Sequence, residues 1–534
     1  MNQNINRLAT ALLLSFLLVA FALAYWQLVR ATDLWAREDN PRHLEMERRI
    51  QRGRILDRDG VELARTEMGP QGARRVTPYP PLAHVTGYWS LRYGTAGIEN
   101  TFNDDLRGLT GQDVETVLRN RLLHHPQAGH DVVLTVDLDL QRVADEALGD
   151  RRGAVVLLDP RDGAILALAS RPYFNPNTLD QDWEGLKADP SNPLINRATQ
   201  GRYPPGSTWK TVTLAASLQE GLAFPGDIFD DGDAELVVEG FPIHCDNNPR
   251  GVNSFDLAHA YGYSCNLTFA RLGLELGTKR YKEYGARFGL GQPLPLEIPT
   301  VASQLANDPF MDRVLLASTA FGQGELAVTP LQMALVAAAM ANDGAIPRPH
   351  LLLQVRDKEG NVLKEAEEGI WQIAVTPRVA RQVREMMVVS VEEGWARGAR
   401  IPGVQVAGKT GTAEVGGGAK PHAWFIGFAP AQEPRYAIAV LVENGGEGSR
   451  VAVPIARQVL EAALKSGLGA GRLTVESGGI LSSQSVSEKS GEGTLAKVSK
   501  ELAGCKHLRS SGIALCQGHP EPSQLADMTT NGMD

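Results

Sequence analysis

Cysteine is scarce in this chain: four residues in 534, at Cys245, Cys265, Cys505 and Cys516. A disulfide-dense scaffold is excluded, and no Cys-x-x-Cys pair offers a zinc site. Bridges between Cys245 and Cys265 and between Cys505 and Cys516 are open to a protein outside the cytoplasm, as are free thiols. Basic residues are not in excess: 53 Lys and Arg face 62 Asp and Glu, a net charge of −9. With no basic stripe, nucleic acid is a poor partner. Long hydrophobic runs are missing except for one, which excludes a polytopic membrane protein. Neither a collagen-like repeat nor wholesale disorder fits a chain with 43% apolar and 22% charged residues. At roughly 150 residues per domain, the length allows about three or four units.

The single apolar run, Leu8 to Val29, carries no charge and is bracketed by Arg7 and Arg30. As a helix it spans about 33 Å, enough for a hydrocarbon core. Ala22-Leu23-Ala24 resembles a signal-peptide cleavage site, but the run continues through Tyr25 and Trp26. An uncleaved anchor is therefore expected, with these two aromatics at the interface. The rest of the chain then lies on one side of the membrane.

Four segments are expected: 1–30, a short cytoplasmic end with the anchor; 31–150, a mixed module; 151–469, the main domain; and 470–534, a tail. In the module, Arg48 to Gly60 reads as a strand entering an Asp-Gly turn. A helix is expected at 113–123, a strand at 132–136 and a helix at 138–148. In the main domain, Ala154 to Leu158 and Ala164 to Ala169 flank an Asp-Pro-Arg-Asp-Gly turn, giving an apolar hairpin within a sheet covered on both faces. Helices are expected at 207–219, 255–276, 330–341 and 454–464, and strands at 404–407, 423–428 and 436–442. The sheet is thus finished from both ends of the domain. Residues 471–534 contain no Phe, Trp or Tyr, and 19 of these 64 are Gly or Ser. That composition predicts disorder, relieved at most by one short helix around Leu495, Val498 and Leu502.

Chemistry is carried by three short patterns. Ser207-Thr208-Trp209-Lys210 follows the turn Tyr203-Pro204-Pro205-Gly206, which places Ser207 near a helix N-terminus and Lys210 on the same face. A serine needs a base, and a lysine serves only when neutral. Its ordinary value of about 10.4 must fall to about 7–8, which burial, a second cation and a helix N-terminus all favour. Ser264-Cys265-Asn266 places a hydroxyl two residues before a carboxamide, able to relay a proton and hold a substrate amide. Lys409-Thr410-Gly411-Thr412 follows the strand expected at 404–407. As an edge strand it can offer a cation and hydroxyls to a carboxylate, with a glycine for close approach of a substrate backbone. Lys465-Ser466-Gly467 and Lys489-Ser490-Gly491 repeat the last pattern, one at a helix end and one in the tail. His422 is read as strand-edge architecture, and Gly416-Gly417-Gly418 as a hairpin loop. None of the patterns calls for a metal or a cofactor.

In this order, the three patterns resemble those of class B penicillin-binding proteins, monofunctional peptidoglycan transpeptidases. The resemblance covers about residues 8–468. It includes Arg52-Gly53 with Asp57-Arg58-Asp59-Gly60, His84 to Tyr88, Gly97-Ile98-Glu99 with Leu106, Gly108 and Gly111, and Thr135 and Asp137 with Gln141. It further includes Gly322-Gln323-Gly324 and Thr329 to Ala334, and the subgroup it most resembles is the penicillin-binding protein A-like branch. The resemblance implies an α+β chain: a transmembrane helix, a mixed α/β pedestal, and a transpeptidase domain with an antiparallel sheet flanked by helices plus an all-helical part. It implies a place in the bacterial cytoplasmic membrane, single-pass, with the catalytic domain outside.

By the same resemblance, Ser207 attacks the D-Ala-D-Ala end of a stem peptide, Lys210 is the base, and Ser264 with Asn266 completes the proton relay. Lys409 and Thr410 position the substrate carboxylate, beside Gly411. The amides of Ser207 and Thr412 form the oxyanion hole. An amine from a second stem peptide resolves the acyl-enzyme, and β-lactams acylate Ser207. A membrane glycosyltransferase of the SEDS type is the implied partner, in contact with residues 31–150. Elongation, division and sporulation are not separated. Rival readings are a D,D-carboxypeptidase, a β-lactamase, or a non-catalytic scaffold or sensor. The first two are usually smaller and lack a module like 31–150, and the last has no need of all three patterns. The tail has no counterpart in the family.

Overall fold

The structure, a computed structural model, describes residues 2–26, 30, 47–70, 72–111, 129–307 and 310–469. The helix expected at 113–123, the stretch 471–534, Cys505 and Cys516 lie outside the described residues. Helix α1, Asn2–Ala24, begins six residues earlier than expected and gives way at Tyr25–Trp26 to a wider turn. Its stretch Gln3–Ala24 is long and apolar enough to cross a membrane.

A six-stranded sheet forms the first layer of the body. Its strands are β1 (Ile55–Leu56), β2 (Glu62–Gly69), β3 (Gly72–Val76), β4 (Asp131–Leu134), β7 (Leu352–Arg356) and β8 (Val362–Glu365). The order is β8-β7-β4-β1-β2-β3, with β1 and β4 parallel and the other pairs antiparallel. Two of its strands thus come from far along the chain. The early motif residues build it: Asp57 caps its own turn, its Oδ1 accepting the amides of Asp59 at 2.9 Å and Val61 at 2.7 Å. Arg52 is buried against Glu99, with Nη2 2.9 Å from Oε2.

The second sheet is wholly antiparallel. Its strands are β5 (Gly153–Leu158), β6 (Ile165–Arg171), β9 (Ala407–Ala413), β10 (His422–Ala429) and β11 (Tyr436–Val442), in the order β9-β10-β11-β5-β6. Side chains alternate across it. Val156, Ile426 and Ala439 face one core, while Val155, Phe425 and Val440 face the other. Each fully buried Val, Ile or Phe among them contributes roughly 1.5–3 kcal/mol. On one face lies Pro330–Ala341, a helix buried on all sides, which is why its sequence is apolar all round. On the other lie Leu138–Leu148 and Gly448–Gly469.

Three expectations are corrected. The helix at 255–276 is two helices, α2 (Leu257–Gly262) and α3 (Asn266–Arg287), and the latter is itself broken at Gly277. The strand at 404–407 begins only at Ala407, because Ile401 and Val404 pair across a tight turn at Gly403. The closing helix starts at Gly448 rather than Pro454, which lies inside it. That proline removes the bond to the carbonyl of Arg450, an exposed residue whose carbonyl can turn to water.

Candidate active site

Pro204 and Pro205 cannot continue a helix, and Gly206 turns the chain at φ 55°. Gly206 N donates to Gly322 O at 2.9 Å. Ser207 then lies in a 3-10 turn, Gly206–Trp209, and the α-helix Lys210–Gln219 starts at the lysine. Positions three apart eclipse one another in such a turn, so Ser207 and Lys210 share a face more tightly than in an α-helix. Trp209 is fully buried, its Nε1 donating to Tyr281 Oη at 2.8 Å, which fixes the turn from behind.

Ser264 ends α2. The amide of Cys265 donates to Ala260 O and that of Ser264 to Tyr261 O, at 3.0 and 3.1 Å. This is a Schellman closure whose left-handed residue is commonly glycine. Here it is Ser264, at φ 66°. The strained conformation, worth roughly 1–2 kcal/mol, aims its hydroxyl at two lysines. Lys210 Nζ donates to Ser264 O at 2.6 Å, Ser264 Oγ at 3.0 Å and Asn266 Oδ1 at 2.7 Å. Lys409 Nζ donates to Ser264 Oγ and to Thr410 O, both at 3.1 Å. Cys265 is disulfide-bonded to Cys245, with Cα atoms 4.5 Å apart.

Both lysines are fully buried. Burial first, and then the charge of Lys409, hold Lys210 well below its ordinary value, while Asp246 pulls the other way. Burial lowers Lys409 to about 7. Neither ammonium is ion-paired among the described residues, so no carboxylate contact offsets the burial that favours loss of a proton from each.

Residues 409–412 lie inside strand β9, at the sheet edge. Gly411 also serves the packing of the strand itself. A Cβ there would stand 2.8 Å from Pro205 O and 3.0 Å from both Thr208 Cγ2 and Trp424 Cβ. The glycine therefore lets the strand close on the Ser207 turn. Gly448 is packed similarly, 2.2 Å from Gly411 O by the same measure, and its amide donates to Thr412 Oγ1 at 3.3 Å.

Ser207, Ser264, Asn266, Thr410 and Thr412 line one cleft of about 770 Å³. Lys210 and Lys409 do not line it; they meet behind it, at Ser264 Oγ. Ser207 thus shares a cleft with Ser264, whose Oγ receives both buried lysines, an arrangement suited to acyl transfer through a serine. His422 stands apart from the cleft: its Nδ1 accepts the amide of Asn444 at 3.0 Å, and burial lowers its basicity. Gly416, Gly417 and Gly418 all have positive φ, in the loop between β9 and β10. Among the described residues no His, Cys, Asp and Glu cluster could hold a metal.

Sequence reasoning missed Asp246 and Trp395, which also line the cleft. A Cys245–Cys265 pairing would have signalled the first, because residue 246 must then lie beside Ser264. Nothing in the sequence signals Trp395.

The family profile described as the penicillin binding protein transpeptidase domain matches residues 153–461, and that of the penicillin binding protein A dimerisation domain matches 52–132. The chain is 36% identical over 499 residues to the peptidoglycan D,D-transpeptidase PbpA of Mycolicibacterium smegmatis, covering 88% of this chain and 100% of that one. It is 33% identical over 395 residues to the peptidoglycan D,D-transpeptidase MrdA of Acinetobacter baumannii, covering 67% and 58%. Penicillin-binding protein A of M. tuberculosis, solved as a ceftriaxone acyl-enzyme complex, superposes with a TM-score of 0.73 at 34% identity, over 78% of this chain and 99% of that one.

Proposed function

The chain belongs to the penicillin-binding protein transpeptidases, and from that membership we propose that Ser207 is the nucleophile of its acyl transfer. The protein is a peptidoglycan D,D-transpeptidase of cell-wall synthesis, a serine acyl-transfer enzyme that β-lactams acylate. One observation carries the assignment of roles: two buried lysines converge on Ser264 Oγ behind the cleft that Ser207 lines.

In this reading neutral Lys210 takes the Ser207 proton as Oγ attacks the penultimate D-Ala carbonyl. The amides of Ser207 and Thr412 receive the developing oxyanion, a contribution of several kcal/mol. Ser264 passes the proton to the departing D-Ala nitrogen as the C–N bond breaks. Asn266 holds Lys210 and a substrate amide, while Lys409, through Thr410 and Thr412, favours the substrate carboxylate. An amine of a second stem peptide then replaces Oγ at the carbonyl.

The proposal extends to the chain's setting. Segments 1–30, 31–150, 151–469 and 470–534 serve as anchor, pedestal, transpeptidase domain and tail. The hydropathy of α1 supports a single crossing of the bacterial cytoplasmic membrane with the catalytic domain outside. The pedestal segment 31–150 contacts a SEDS-type glycosyltransferase, because an enzyme that only cross-links needs nascent glycan. Deleting that segment should abolish co-purification of the glycosyltransferase. The nucleophile is tested by intact mass of the chain from Ala31 onward after penicillin treatment. A single stable adduct, absent in Ser207→Ala, is expected. Equal labelling of that variant would sink the assignment.

A further inference from the structure

The cleft has a second chemical identity. Asp246 lines it, on the wall that carries Ser264 and Asn266. The segment around it is fastened three ways. Cys245 is bonded to Cys265, between the two motif residues. Trp395 Nε1 donates both to Asn247 O at 2.8 Å and to Tyr263 O at 3.2 Å, tying the segment to the Ser264 turn. Asn248 Nδ2 donates to Val252 O at 2.7 Å. Yet among the described residues the Asp246 carboxylate makes no hydrogen bond and no ion pair, whereas Glu447, in the same cleft, is paired with Arg450 at 2.8 Å. Asp246 is exposed to the cleft on a backbone held by these contacts, and its carboxylate, like that of Glu414, is available to a ligand. Its charge reaches the reacting centre, since it opposes the depression of Lys210.

We propose that Asp246 selects the acceptor: its carboxylate receives the ammonium of the incoming stem peptide on the Ser264 side of the cleft. This rests on the transpeptidase reading of the same site. The donor ends in a carboxylate, which Asp246 repels and the Lys409 side attracts. The acceptor ends in a primary amine that is cationic at neutral pH, with the opposite preference. The two substrates are thereby sorted to different walls. Docked at Asp246, the ammonium gives one proton to water. The neutral amine then attacks the acyl carbonyl, its second proton passing to Lys210. The C–N bond forms as the bond to Ser207 Oγ breaks, and Lys210 returns that proton to Oγ.

The test is a partition measurement on the full-length enzyme, acylated with a D-alanyl thioester. Products of aminolysis and hydrolysis are separated, with Nα-acetyl-lysine as cationic acceptor and hydroxylamine as neutral one. Because the ratio is read after acylation, altered acylation does not enter it. Asp246→Asn should lower the aminolysis ratio for Nα-acetyl-lysine by roughly three- to fivefold, the scale of one exposed charge pair, and leave that for hydroxylamine unchanged. Equal partition in Asp246→Asn overturns the assignment, and so does the same drop in Glu414→Gln, which would mean general cleft charge. A normal acyl-enzyme with either result condemns the acceptor assignment alone. Failure of the unsubstituted enzyme to form any acyl-enzyme condemns the transpeptidase roles with it.

Discussion

Lys210 Nζ lies 2.6 Å from the carbonyl oxygen of Ser264, so its shortest hydrogen bond is to a backbone dipole and not to a carboxylate. A dipole orients an ammonium without fully compensating its burial. The amine is thereby held in position while its proton stays loosely bound. Lys210→Met keeps the volume and loses the lone pair. Acylation by a fluorescent penicillin should fall by about 10²–10⁴-fold, with the thermal midpoint no lower than in the unsubstituted protein. Unaltered acylation would remove Lys210 from the mechanism.

Lys409 makes a prediction about pH and stability. Its folded value of about 7 lies below the unfolded value near 10.4. Between the two the unfolded chain holds a proton that the folded one lacks, so stability rises with pH across that window. Below it both states are protonated and the folded state carries the full cost of the buried charge. Lys409→Met escapes that cost. Its thermal midpoint should exceed that of the unsubstituted protein at pH 6.5, and the gap should narrow as pH climbs toward 10. A gap independent of pH would contradict the assignment.

Gly411 is required by packing. In Gly411→Ala the new methyl would meet Pro205 O and Thr208 Cγ2 and push β9 off the Ser207 turn. A loss of about 1–3 kcal/mol in chemical denaturation is expected, together with slower acylation. Faster or equal acylation would show that the strand has room to move.

The Cys245–Cys265 bridge closes a loop with a sequence separation of 20. Opening it by Cys245→Ser should cost about 3 kcal/mol by denaturant titration. The same change should slow acylation, because Cys265 caps α3 between Ser264 and Asn266, its Sγ accepting the amide of Thr268. Loss of stability with unchanged acylation would confine the bridge to a structural role.

Much of this was legible in the residues. The hairpin of β5 and β6, strands β10 and β11, and the helices at 138–148 and 330–341 follow from apolar pattern and turn chemistry. That the three motifs share one site follows from the family resemblance their order carries. What the sequence concealed has physical causes. The glycine at the end of α2, Gly262, is not the left-handed residue; Ser264 takes that position itself, and the apolar pattern runs on across the break. The role of Gly411 depends on what packs beside it, which its neighbours along the chain do not reveal. The depression of Lys210 follows from burial and a second cation; the involvement of Asp246 does not show in the sequence, since it depends on a cross-link between distant cysteines.

The borrowed hairpin of the first sheet bears on how the molecule is made. Strand β4 pairs with β7, so one of its edges stays open until roughly two hundred further residues have been synthesised. An uncovered strand edge is a template for wrong pairing. A chain synthesised from its N-terminus must therefore keep β4 shielded while the second sheet is still incomplete. Once residues 352–365 dock, neither sheet-bearing region can be pulled from the other without unzipping backbone hydrogen bonds, which couples the two mechanically.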